Sequence, residues 1–153
     1  VTRLLGIDLG RRRIGVATAD TASGQVRPLA TLQRSSAEHD RASIARLVAE
    51  QHIDELVVGL PLLLDGRLGA QAEETRAWAE ATLVPLGLPV AWRDERLTSV
   101  RAGQRLGALS RGAAGGPPSA LARRAHRARL DREAAALIAQ SELDERARSG
   151  PGD

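Results

Sequence analysis

The sequence predicts an α/β fold: a mixed five-stranded sheet, a three-strand antiparallel meander plus two parallel strands, flanked by helices. Three apolar segments separated only by turn residues open the chain and read as the meander. Two further short apolar segments follow, each preceded by a stretch with helical spacing, and a last helix closes the chain. That alternation of helix and strand favours parallel neighbours in a helix-covered sheet.

The first strand is the apolar lead Leu4, Leu5 and Ile7 into Asp8. Gly10 and the charged turn Arg11, Arg12, Arg13 return the chain into a second strand, Ile14 to Ala19. The Ser23–Gly24 turn leads to a third, Val26 to Leu32. Ser35 and Ser36, with Glu38, open a helix carried by Ile44, Leu47 and Val48. Ile53 to Val58 is a short continuous apolar strand that breaks at Gly59 and the Leu60–Pro61 step. The Ala- and Glu-rich run from Ala70 to Leu83 is a helix, and Leu88 to Trp92 a strand that runs into Asp94 and Glu95. Thr98 or Ser99 caps a further helix through Val100, Ala102 and Leu106. Gly112, Gly115, Gly116, Pro117 and Pro118 then predict a mobile loop from Arg111 to Arg129. The last helix is expected from about Leu130 to Arg146.

At 153 residues the chain suits one domain, expected over residues 1–146, with residues 147–153 a flexible tail. It has no cysteine, which excludes disulfides and thiolate metal sites. No apolar run reaches membrane-spanning length, so a cytoplasmic protein is expected. Net charge is only +3, but all 22 basic residues are arginine, whose fork of donors suits phosphate. Arg123, Arg124, Arg127 and Arg129 lie in a stretch without an acid between Arg96 and Asp131, and form a candidate nucleic-acid surface. The only tryptophans are Trp78 and Trp92, expected in the core, and Phe and Tyr are absent. Base-by-base stacking is therefore not the expected binding mode.

Chemistry is sought at the carboxylates. Parallel strands deliver their C-terminal ends to one edge, where ligands bind. Asp8 and the pair Asp94–Glu95 end strands there, while Asp54 begins one and belongs at the opposite edge. The final helix adds Asp131 or Glu133, beside the small Ala134, Ala135 and Ala136 that let a helix approach a sheet closely. Converging carboxylates without cysteine suit a hard cation, Mg²⁺ or Mn²⁺. Two such ions clamp the attacking and leaving oxygens of a phosphodiester. The chain has no G-x-S-x-G elbow and no G-x-G-x-x-G fingerprint, so neither a serine hydrolase nor a dinucleotide enzyme is supported.

Four blocks, GIDLGRRRIGVA at residues 6–17, VVGLPLLLDG at 57–66, DERLTS at 94–99 and LDREAAALIAQSELD at 130–144, resemble the bacterial YqgF family, also called RuvX. The resemblance implies a ribonuclease-H-like fold and a metal-dependent nuclease. The family's proposed tasks are 5′-end processing of precursor 16S rRNA and resolution of four-way DNA junctions. It implies Asp8, Glu95 and Asp131 as catalytic, metal-holding acids, with Asp94 beside them in support. Arg13 and Arg96 fall on its basic positions, and Arg11, Arg12, Arg123, Arg124 and Arg127 are taken with them as nucleic-acid contacts. Gly59, Pro61, Asp65 and Gly66 fall on its sheet-edge loop. Two positions depart from the pattern: Ala139 replaces a larger aliphatic, and Glu142 stands where an aromatic often sits.

The helical period supports the same acids, since residues 131, 134 and 135 share a face and residue 133 points away. Expected partners are RNA or branched DNA, with the protein a monomer or homodimer and no membrane involved. Two other classes compete. Gly6 to Gly10 also resembles the first phosphate loop of actin-like and Hsp70-like ATPases, which need two lobes where this length supplies one. A catalytically silent RNA- or ribosome-binding protein would use the arginines and waste the acids.

Overall fold

The computed structural model describes residues 1–95, 102–104, 106–107 and 115–150. Five strands, β1 (Arg3–Leu9), β2 (Arg13–Asp20), β3 (Val26–Gln33), β4 (Glu55–Leu60) and β5 (Val90–Asp94), form one sheet in the order β3-β2-β1-β4-β5. β2 runs antiparallel to β1 and to β3, while β4 is parallel to β1 and to β5. Helices α1 (Ala37–Glu50) and α2 (Ala70–Thr82) connect the parallel strands, and α3 (Ala120–Ser149) closes the described chain. The mixed sheet flanked by helices is the expected architecture.

Strand alternation sorts the side chains into two layers. Leu5, Ile7 and Leu9 of β1, Ile14 and Val16 of β2, and Leu56 and Val58 of β4 pack with Ile44 of α1 and Trp78 and Ala79 of α2. Ser36 caps α1 by accepting from the His39 N–H, and buried Asp40 accepts the Trp78 indole N–H at 3.1 Å, tying α1 to α2. Residues of the opposite parity face α3: Leu4, Ala19 and Val57 meet Ile138 and Ala139, and Ala17 meets Ala135 and Ala136. Asp8 shares the parity of Leu4 and Gly6, so it belongs to the α3 side.

Three glycines let α3 sit directly on the sheet. A Cβ on Gly15 would overlap the carbonyl oxygen of Asp131, one on Gly6 would lie 2.7 Å from that of Ala135, and one on Gly59 would lie 2.5 Å from Ile138 Cδ1. The contacts step along α3 at 131, 135 and 138, the spacing of one helix face, while crossing β2, β1 and β4 in turn. Asp8 is the register partner of Gly15, so the first of these contacts sets Asp131 beside Asp8.

The predicted boundary of the last helix is wrong by ten residues. α3 begins at Ala120, capped by Ser119, whose hydroxyl accepts from the Ala122 N–H at 3.0 Å. Arg123, Arg124, Arg127 and Arg129 are therefore helical, not part of a loop. Ala, Leu and Arg dominate residues 120–130 and are strong helix formers; the Gly/Pro cluster before them stops where Ser119 caps. Thr31 of β3 also pins this half, donating to the Ala128 carbonyl at 2.7 Å and accepting from Arg132. At the other end the helix continues to Ser149, so residues 147–149 of the expected tail are helical. Trp78 is buried as expected, but Trp92 is 38% exposed on the edge strand β5 and is not a core residue. Of the helix expected after Ser99, residues 102–104 and 106 are helical and Ala102 is buried. Thr98, Ser99 and Val100 lie outside the described residues, as does the loop prediction for residues 111–114.

Candidate active site

The acids meet where the parallel strands end. Asp8 lies one residue before the end of β1, and Glu95 follows the last residue of β5. Asp131 sits under the glycine contact of α3. Asp54 is at the far edge, as expected, accepting the Arg3 N–H at 2.9 Å. The Asp8 carboxyl is pushed up to about 7, first by burial, then by the negative charges of Asp131 and of Glu95. The three groups are thus close enough for two to oppose ionisation of the third.

Glu95 is held from three directions. Its N–H donates to the Leu60 carbonyl at 3.0 Å, its Oε1 lies 3.3 Å from the Ser141 hydroxyl, whose one proton is shared with the Ile138 carbonyl at 2.8 Å, and its Cγ lies where a Cβ on Gly59 would approach to 2.6 Å. Alternation along β5 carries Arg93 to the α3 side with Glu95, where it pairs with Glu142 and Glu145, and leaves Asp94 exposed on the other side. Asp94 therefore does not share the pocket directly. Asp131 is engaged by Arg13, whose Nε donates to Oδ2 at 2.5 Å. Glu133, expected to point away from the acids, is buried, with 8% of its surface exposed.

A cleft of about 140 Å³ opens on Asp8 and Asp131, lined also by Arg13, Arg127, Leu130 and Ala134. Arg127, expected as a nucleic-acid contact from a loop, instead lines this cleft from a helix. Arg11 and Arg12 are exposed at the hairpin tip, which Arg34 ties to α2 by donating to the Gly10 carbonyl and pairing with Glu74. Arg123 and Arg124 are exposed further up α3, and Arg96 lies outside the described residues. Larger hollows of about 510 and 990 Å³ are lined by residues such as Arg3 and Gln25, or Thr2 and Glu55, and do not include Asp8, Glu95 or Asp131. Glu142, the departure from the resembled pattern, is buried and accepts from Arg146, which also pairs with Glu55.

Among the described residues no three His, Asp or Glu side chains stand placed to hold a metal ion. The chemistry of the donor set nevertheless fits one. Asp8, Glu95 and Asp131 offer only oxygens, Asp8 carries a pKa raised first by burial and then by the charges of the other two acids, and Asp131 already holds a cation in the form of Arg13. Ser141 is a contact that the sequence did not suggest, and Gly59 was expected only as part of the sheet-edge loop, not against Glu95. The signal for Ser141 was a hydroxyl on the flank of the helix face that carries Asp131, Ala134 and Ile138.

The family model described as "RuvX: Holliday junction resolvase" matches residues 2–145. The chain belongs to the RuvX family. A protein of Anaeromyxobacter sp. named "Putative pre-16S rRNA nuclease" is 42% identical over 144 residues, covering 94% of this chain and 98% of its own length. One of the same name from Moorella thermoacetica is 38% identical over 148 residues, covering 97% and 99%. RuvX membership supports an ester-hydrolysing, nuclease activity. The fold is ribonuclease-H-like and is shared with Thermus thermophilus RuvC, at TM-score 0.57 and 18% identity over 97% of both chains. It is shared also with the fowlpox virus Holliday junction resolvase, at TM-score 0.53 and 12% identity over 95% of this chain and 100% of the other. No helix among the described residues is long and apolar enough to cross a membrane.

Proposed function

We propose that this protein is a divalent-metal-dependent nuclease that matures the 5′ end of precursor 16S rRNA in the cytoplasm. The observation that supports the reading is a buried Asp8 at the sheet edge, whose carboxyl is pushed up to about 7 first by burial and then by the charges of Asp131 and Glu95, acids carried by other elements. Asp8, Glu95 and Asp131 would hold Mg²⁺ or Mn²⁺. When bound, such ions supply Lewis-acid stabilisation of the phosphodiester and lower the pKa of a water. The chain's own residues do the rest. Gly15 and Gly59 fix the approach of Asp131 and Glu95, Ser141 orients the Glu95 carboxylate, and Arg13 and Arg127 neutralise phosphate in the cleft.

Arg11, Arg12, Arg123 and Arg124 extend the basic surface away from the acids, and Arg96 belongs to it by the family pattern. Residues 1–146 act as one nuclease domain, and Asp94 supports the site from the other side of β5. The assignment to RNA draws on the names of the full-length relatives at 38–42% identity. The family description names a four-way DNA junction instead, and that is the second reading.

The experiment is cleavage of a precursor 16S rRNA 5′ fragment in Mg²⁺ or Mn²⁺, by the wild type and by D8N. Loss of cleavage in D8N and in chelator is the expected result. Wild-type rates in either condition would leave a silent RNA-binding protein as the better description.

A further inference from the structure

We propose that Arg13 is a catalytic residue that engages the scissile phosphate, and that in the free protein Asp131 holds its guanidinium in reserve. This deepens the metal-nuclease reading and rests on it. Arg13 opens β2 with the parity of Gly15 and Ala17, so its side chain emerges on the α3 side, at the floor of the acid cleft. Its Nε donates to Asp131 Oδ2 at 2.5 Å, and the two side chains are only 29% and 19% exposed. Bulk water therefore screens this pair less than the arginines at the hairpin tip.

The same pair competes with a cation for Asp131. A guanidinium at hydrogen-bonding distance from Asp131 repels a dication that needs the same carboxylate. Asp131 serves one positive charge or the other. When it turns to a cation, Arg13 is left in a partly buried cleft lined by Asp8 and Asp131, beside a second guanidinium, Arg127. An anion is then required, and a phosphodiester entering the cleft offers one whose oxygens match the guanidinium fork. No covalent bond changes; one ion pair, Arg13 to Asp131, is traded for two, cation to Asp131 and Arg13 to phosphate. Cation and phosphate each release the partner that the other needs, so each favours binding of the other. Arg127 lines the same cleft but is exposed, and among the described residues it is Arg13 that pairs with Asp131, so Arg127 meets phosphate without an exchange of partners.

The test compares wild type, R13A and R13K in two measurements: Mn²⁺ affinity by calorimetry without nucleic acid, and single-turnover cleavage. Removing Arg13 frees Asp131, so R13A should bind Mn²⁺ roughly tenfold tighter, the effect of one partly screened charge-assisted bond. Its cleavage should fall roughly a hundredfold, as when one donor to a developing charge is removed. R13K keeps a charge without the fork and should lie between wild type and R13A in both. A purely structural role would weaken both measurements together. A folded R13A that binds Mn²⁺ no better than wild type, or that cleaves at the wild-type rate, overturns the exchange. Should R13A not fold, R13Q keeps the stem and answers by the same two criteria. Folded wild type and R13A that both fail to bind Mn²⁺ would remove the metal reading itself, a different result from unimproved binding.

Discussion

Asp8 carries a cost that the fold does not relieve by itself. Its carboxyl keeps a proton up to about pH 7 in the folded protein, where an unfolded chain releases it near the ordinary aspartate value of 3.8. Across that interval the folded state binds more protons than the unfolded one. The contribution of Asp8 therefore makes stability fall as pH rises from about 4 to about 7, and adds no further slope above that. Without metal, D8N lacks this term, so its melting temperature should gain on wild type through the same interval and hold the gain at pH 8. Thermal melts in chelator across pH check this, and parallel curves for the two proteins would show that Asp8 is not burdened as described. Mg²⁺ or Mn²⁺ should raise the melting temperature of wild type at pH 8 and leave D8N nearly unmoved. At Glu95 the prediction concerns orientation. S141A removes the hydroxyl that Oε1 accepts from, and G59A pushes a methyl against Cγ. Each should weaken Mn²⁺ binding in calorimetry, G59A more than S141A, because a displaced carboxylate loses its ligand geometry while an unoriented one recovers it on binding. Equal Mn²⁺ affinity in all three proteins would remove both residues from the site.

The packing of α3 on three glycines is the element that turns a sheet into a site. At Gly15 the neighbour is backbone, which cannot step aside, whereas at Gly59 it is the ends of Ile138 and Glu95, which can. G15A should therefore cost more than about 3 kcal/mol, beyond ordinary overpacking, and G59A about 1–3 kcal/mol. Denaturant titration measures both, and an equal cost would contradict direct seating of α3 at Gly15. The alanines at 134–136 signalled this close approach in the sequence, and strand parity placed Asp8 on its side. The start of α3 was not legible, because a Gly/Pro cluster dominates the reading of its neighbours while the tertiary bonds of Thr31 that hold residues 128 and 132 leave no local trace. Trp92 was misread for a related reason. Apolar period identifies a strand but not its place in the sheet, and β5 is the edge. Ser141 stayed hidden because its contact with Glu95 spans 46 residues. Helical placement of the arginines sharpens their prediction. Arg123, Arg124 and Arg127 project from one fixed rod, so neutralising them should weaken nucleic-acid binding for every sequence. The slope of log affinity against log salt should flatten by about 0.7 per lost contact on a single strand. An unchanged slope would move that face of α3 off the substrate path.

At the scale of the whole molecule the open choice is between a precursor RNA and a four-way DNA junction. Asp8 and Asp131 line one cleft with Arg13 and Arg127 of the same protomer, which under the proposed function supplies the acids for one cut. A junction needs two symmetric cuts, hence two such sets related by a two-fold axis. A precursor end needs one, on a strand already accessible, without the cost of unpairing. The exposed indole of Trp92 on β5 is an aromatic side chain that could reach the branch of a junction, so the scarcity of aromatics does not by itself favour RNA. What remains in favour of RNA is the single-cut geometry of the protomer and the names of the full-length relatives. The prediction is that precursor 16S rRNA is cut in preference to a junction of matched length, by a protein that sediments as a monomer at the concentration assayed. Single-turnover reactions on both substrates, in Mn²⁺ and then Mg²⁺, with oligomeric state measured in the same buffer, decide it. Paired symmetric nicks in the junction by a stable dimer, with the RNA intact, would assign the chemistry of Asp8, Glu95 and Asp131 to DNA. In that case W92A should slow junction cleavage if the exposed indole contacts the branch, and leave it unchanged if the edge strand merely carries Glu95 into place.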